Sequence, residues 1–171
     1  MPEIKAIFTE ADRSATLLIE WWKSLDRHRG ERADLRRAAS ATEAAFCPSF
    51  HRLLHQLHSP GYALGDIGAN AVAAIAGLAA HVKSHNGAST LAQQMASPKG
   101  QGGRARVSGL RFRKLLVIAD RDELYLQLVR VIRLLDGNVN LVSLANAAFW
   151  WNERIKKNWA YEYYAAAPTE L

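Results

Sequence analysis

The 171 residues are 49% hydrophobic and 22% charged. That is enough apolar material for a core in one domain or two small helical lobes, so the chain need not be disordered. Net charge is +6, and between Asp66 and Asp120 there is no acidic residue, whereas Lys83, Lys99, Arg104, Arg106, Arg111, Arg113 and Lys114 all fall there. Charge so one-sided repels itself unless it meets a polyanion, so nucleic acid or an anionic membrane is the expected partner. A basic surface kept for solubility is the bland alternative. The single cysteine, Cys47, can form no internal disulfide, which fits a reducing cytoplasm. No apolar run approaches the ~18 residues of a membrane span, and the N-terminus lacks a signal-peptide pattern. A cytoplasmic protein without a membrane partner is expected.

Strong helix formers dominate, prolines number five, and no stretch alternates like a strand. The predicted class is all-α. A first helix is predicted from Asp12 to Arg29, capped by Asp12 or Ser14 and ended by Gly30, with Leu18, Trp21, Trp22 and Leu25 on one stripe. A second runs from Glu31 to Ala39, with Arg32, Arg36 and Arg37 on its exposed side. Phe50, Leu53, Leu54 and Leu57 mark a third before the breaker Ser59-Pro60-Gly61. The Ala-rich stretch from Asp66 to Val82 reads as a buried helix, and Leu91 to Ala96 as a short one.

Residues 97–103 (Ser-Pro-Lys-Gly-Gln-Gly-Gly) are the clearest linker. They lack the GK[ST] of a phosphate-cradling loop. They are expected to join two small helical bundles, residues 1–97 and 98–171. The second bundle is predicted to hold helices over Val107 to Ala119, Asp120 to Leu135 (stopped by Gly137) and Asn140 to Ala165.

Arg111 and Lys114 are i,i+3 neighbours on the Val107 to Ala119 helix, and Arg106 and Arg113 are seven apart. All four are expected to point away from the apolar stripe and present to phosphates, the sequence-independent core of nucleic-acid affinity. On the last predicted helix Trp150, Arg154, Lys157 and Tyr161 recur at helical spacing, with Lys156 beside them. Aromatics among cations suit single strands, although Trp150 and Tyr161 read more simply as packing residues beside solvated charges.

His51, His55 and His58, and His81 with His85, have spacings that could ligate zinc on a helix. No HExxH glutamate accompanies them and the lone cysteine adds little, so they read as ordinary surface or half-buried histidines. Asp120, Asp122 and Glu123 sit where a helix N-terminus wants negative charge. No acidic cleft or nucleophile motif is evident, so neither an active site nor a cofactor is expected.

Three stretches, in order along nearly the whole chain, together resemble the CasB family, the small subunit of the type I-E CRISPR surveillance complex Cascade. They are WWKSLDRHRGERADLRRA (21–38), RVSGLRFRKLLVIADRDEL (106–124) and LLDGNVNLVSLANAAFWWNERIKKNWAYEYY (134–164). The resemblance implies two helical bundles and a non-enzymatic role. It implies two copies side by side along the complex, against its backbone and large subunits, helping to hold opened target DNA while guide RNA pairs with one strand. Carried onto this chain, the DNA-facing residues would be Arg32, Arg36 and Arg37, then Arg106, Arg111 and Lys114, then Arg154 and Lys156. Arg113 and Lys157 extend these rows. Guide pairing would read the sequence, leaving the protein to see only backbone. The rival readings are a helix-turn-helix regulator, which needs a helix reading base edges, and a helical scaffold whose basic face meets an acidic protein.

Overall fold

The computed structural model describes residues 2–168. Its ten α-helices among these residues are α1 (Arg13–Ser24), α2 (Arg29–Arg37), α3 (Ala41–Ala45), α4 (Pro48–His58), α5 (Gly65–Ala79), α6 (Leu91–Ala96), α7 (Gly109–Leu116), α8 (Arg121–Leu134), α9 (Leu141–Trp150) and α10 (Glu153–Ala166). Two two-residue strands, β1 (Ser84–His85) and β2 (Asn138–Val139), pair in parallel and tie the segment after α5 to the segment after α8. The all-α expectation holds apart from this small bridge.

Side-chain caps punctuate the chain. Asp12 accepts from the Ser14 amide at α1, Ser40 from Glu43 at α3, and Ser108 from Arg111 at α7. Asp120, Asn140 and Asn152 do the same for α8, α9 and α10. Thr90 and Gln93 form a reciprocal capping box at α6. Each cap satisfies an amide that the first helical turn leaves without a partner.

The centre of the molecule is α5, whose buried face is built from Ala71, Val72, Ala73, Ile75, Ala76, Gly77 and Leu78. Small side chains let α3, α4, α8 and α9 approach it. Gly77 marks the tightest place. A Cβ there would lie 2.3 Å from the Tyr125 hydroxyl, which donates to the Ala38 carbonyl at 2.9 Å.

Several sequence expectations need correction. The first helix stops at Ser24 and passes through a 3-10 turn (Leu25–Arg27), and Gly30 lies inside α2 rather than ending α1. The predicted Asn140 to Ala165 helix is two helices. Trp151 leaves helical geometry at φ 0° and ψ 79°, with its Nε1 donating to the Ile118 carbonyl at 2.9 Å. Arg121 donates to the Ala148 and Phe149 carbonyls at 2.7 and 3.1 Å, and Asn152 starts α10. The apolar period continues through this break, so the pattern alone could not reveal it.

The Gly-rich stretch is a closed turn rather than an open tether. The Lys99 amide donates to the Arg104 carbonyl and the Arg106 amide to the Ser97 carbonyl, both at 2.9 Å. Buried residues from both sides of it belong to one cluster, and α6 packs on α10 while α5 packs on α9. The core therefore runs across the boundary expected at residues 97 and 98.

Candidate nucleic-acid interface

In α7, Phe112 and Leu115 are buried, and Phe112 stacks on Tyr163 of α10 with ring centroids 4.0 Å apart. That anchoring sets the rotation of a two-turn helix. Arg111 and Lys114 then emerge toward α8, while Arg113 is exposed on another face beside Gly109. In α8, Leu124, Leu128, Val131 and Ile132 turn inward, leaving Arg130 and Arg133 exposed. At the end of α8 the chain reverses through Asp136 and Gly137, both at positive φ (56° and 75°), the left-handed geometry that glycine adopts freely.

Between α7 and α8 lies a groove of about 860 Å³. Its charged lining is Arg111, Lys114, Arg130 and Arg133 against one carboxylate, Glu123. Its floor is aliphatic: Val107, Leu115, Ile118, Val131 and Leu134, with Val117 at the lip, 80% exposed. Among the described residues, none of the four cations forms a salt bridge.

The cationic band continues past the groove. His81, in the turn after α5, is held neutral, its pKa pushed down to about 4 by burial and then by Arg133 and Arg36. Arg36 of α2 therefore faces the same neighbourhood as Arg133 of α8. One expected first-bundle cation, Arg36, thus lies near Arg133 without lining the groove, beside a histidine that sequence spacing pairs with His85. That pairing fails: His85 lies in β1, not on a helix with His81, and its Nδ1 accepts from the Leu141 amide at 3.1 Å.

The other predicted residues divide sharply. Arg32 is not on an exposed side. Its side chain is 15% exposed; its guanidinium donates to the Ala80 and Val82 carbonyls at 3.3 and 2.5 Å and to Asp26 at 2.8 Å. It closes the C-terminal end of α5. Arg36 also reaches the Ala80 carbonyl, at 3.4 Å, yet remains exposed. Arg37 is exposed and pairs with Asp34. Arg106 lies before α7 begins, so its seven-residue relation to Arg113 is not a helical one, and it pairs with Asp136 at 3.4 Å.

Arg154, Lys156 and Lys157 belong to α10 and none lines the groove. Lys156 is largely covered, lying 5.4 Å from the centre of the Trp151 ring and 3.7 Å from Glu153. Lys157 lies 5.9 Å from the Tyr161 ring, and both are exposed, as is Arg154. Trp150 sits on α9, so the Trp150–Arg154–Lys157–Tyr161 row does not share one helix.

Arg130 and Arg133 are not among the cations expected from sequence, because the apolar period of the Asp120 to Leu135 segment marks only its inward residues. Their i,i+3 spacing, matching that of Arg111 and Lys114, was the available signal.

The chain adopts the fold of a chain in the crystal structure of E. coli Cascade bound to a PAM-containing dsDNA target, with a TM-score of 0.68 at 20% identity, covering 87% of this chain and 93% of that one. No curated protein matches the chain in sequence. The family profile of CRISPR-associated protein Cse2 matches residues 31–164, a span that includes the groove, the Arg36 neighbourhood and α10 as far as Tyr164. The chain belongs to the CRISPR-associated protein Cse2 family, the CasB small-subunit family that its three sequence stretches resemble.

Proposed function

We propose that this chain is the small subunit of a type I-E Cascade complex, acting in the cytoplasm, and that its basic band holds opened target DNA through contacts to the phosphate backbone. The observation that carries the reading is the α7/α8 groove, where four cations that form no salt bridge among the described residues face one carboxylate within a Cse2-family fold. Opening a duplex against a guide is nearly balanced in energy, so modest backbone contacts are enough to tip it. Sequence readout is not required of such a surface. The guide-RNA complex, the backbone and large subunits, and a second copy of the chain are the partners this role implies.

The reading includes no catalytic chemistry. Asp120 is engaged in capping α8, accepting from the Glu123 amide at 2.9 Å, and Asp122 lies in that same first turn, where negative charge is favourable.

The test is to co-express the chain with guide RNA and the remaining subunits, then measure assembly and target binding with and without it. Binding that weakens without the chain, similarly for all guides, supports the proposal. Isolated protein should bind random DNA with log affinity falling linearly in log salt. Strong preference for one duplex would favour a free-standing regulator, and no nucleic-acid binding at any salt would favour a protein scaffold.

A further inference from the structure

We infer that Glu123 is an affinity-limiting residue of the α7/α8 groove: its carboxylate repels phosphate and keeps the hold on DNA weak enough that guide pairing decides what stays bound. This rests on the nucleic-acid reading above and concerns what limits that binding rather than what supplies it. The two helices run antiparallel. Residues 117–120 join the end of α7 to the start of α8, and at the opposite end Arg106, before α7, lies 3.4 Å from Asp136, after α8. Lys114 and Glu123 therefore share the turn end of the groove, while Arg130 lies two turns further along α8, about 10 Å at 1.5 Å per residue. Among the described residues Glu123 forms no salt bridge with any of the four cations that line the groove with it. A phosphate drawn in by Lys114 meets that carboxylate too.

Helix formation does not account for this carboxylate. The Asp120 side chain accepts from the Glu123 amide at 2.9 Å, and Asp122 supplies negative charge in the same first turn, so the dipole end is served without Glu123. At the same position of α6, three residues after the cap, Gln93 reaches back to accept from the Thr90 amide at 2.9 Å. Glu123 makes no such bond to Asp120 among the described residues. It stands exposed instead, on the wall of a cationic groove. Phosphate attraction is independent of sequence, so a wholly cationic groove would take up any nucleic acid it met. Because opening is nearly balanced in energy, such a groove would also steady opened DNA whether or not the guide matched it. A like charge in the site lowers the hold by a small factor and leaves the choice to pairing.

The test is Glu123→Gln in the full-length chain, compared with Glu123→Asp, which keeps the charge, and with Glu20→Gln on α1, an equal charge change at an exposed residue outside the groove. The probe is a random-sequence oligonucleotide, single- and double-stranded, titrated over a range of salt. A like charge about 7 Å from a phosphate in water is a factor of about three, so Glu123→Gln should bind about threefold tighter at low salt. The gain should fade toward 1 M salt, where screening acts beyond about 3 Å. Glu123→Asp should bind as the unaltered chain does, and Glu20→Gln should gain less than about 1.5-fold. In the assembled complex Glu123→Gln should raise affinity for a partly mismatched target about threefold, at a concentration where the matched target is already fully bound. Equal gains in Glu123→Gln and Glu20→Gln would assign the effect to net charge and overturn the proposal. No gain, or weaker binding with a lowered urea midpoint, would return Glu123 to stabilising its helix. A gain undiminished at high salt, or a mismatched target held no better by the complex, would also overturn it. Failure of every form to bind nucleic acid at low salt would overturn the nucleic-acid reading itself.

Discussion

Arg32, Arg36 and Arg37 look alike in sequence, three arginines on one short helix, and the fold gives them three different jobs. Arg32 meets carbonyls 48 and 50 residues away, a partnership set by tertiary packing that no local pattern encodes. Its removal leaves the Ala80 carbonyl to Arg36 at 3.4 Å and the Val82 carbonyl to Trp22 Nε1 at 3.2 Å, and each charged bond lost is worth about 1.5–3 kcal/mol. Arg32→Ala should therefore lower the urea midpoint clearly, whereas Arg37→Ala, losing one exposed pair, should change stability by less than about 0.5 kcal/mol. Equal effects would mean that Arg32 is a surface residue after all. His81 offers a second check. Its folded pKa lies near 4, while the unfolded chain takes up that proton near the ordinary value of about 6.5. The unfolded state thus binds more protons as pH falls from 6.5 toward 4, and folding stability from this site declines across that window. His81→Gln should flatten the decline in chemical denaturation measured at a series of pH values. An unchanged slope would place the responsible group elsewhere.

At the scale of elements, legibility followed how local the cause was. Leu91–Ala96 appears with the boundaries expected, because a capping box at Thr90 and Gln93 is written in adjacent residues. The α9/α10 break was invisible, because its causes are distributed. Trp151 is held by Ile118 in the turn after α7, and the end of α9 is closed by Arg121 at the start of α8. Asn152 is the one local signal, a capping residue inside a continuous apolar period. Asn152→Ala should cost about 1 kcal/mol, seen as a reduced unfolding midpoint with the denaturant slope unchanged. Asn152→Asp should retain most of the stability, since it can still accept from the Ile155 amide. Equal losses in the two variants would argue against capping as the reason for the break.

For the whole molecule, the one-sided positive charge of the sequence points toward a polyanion but not to where it would bind. The groove needs α7 turned by Phe112 against Tyr163 and α8 laid beside it, and Arg36 lies beyond it, near His81. The candidate rows therefore regroup: Arg111 and Lys114 stay, Arg130 and Arg133 join them, and Arg154, Lys156 and Lys157 stand apart on α10. If the groove carries the affinity, its cations and those of α10 must differ in salt dependence. Replacing Arg111, Lys114, Arg130 and Arg133 with Gln should flatten the slope of log affinity against log salt by about one for each phosphate contact removed. Arg154→Gln with Lys157→Gln should change it less, because Lys157 is paired with a tyrosine ring and neither residue lines the groove. Assembly with the other subunits should survive the groove variant, since the four side chains lie outside the apolar core. Assembly lost with DNA affinity retained would make the groove a subunit contact, and an α10 pair that dominates the salt slope would move the DNA path off α7 and α8.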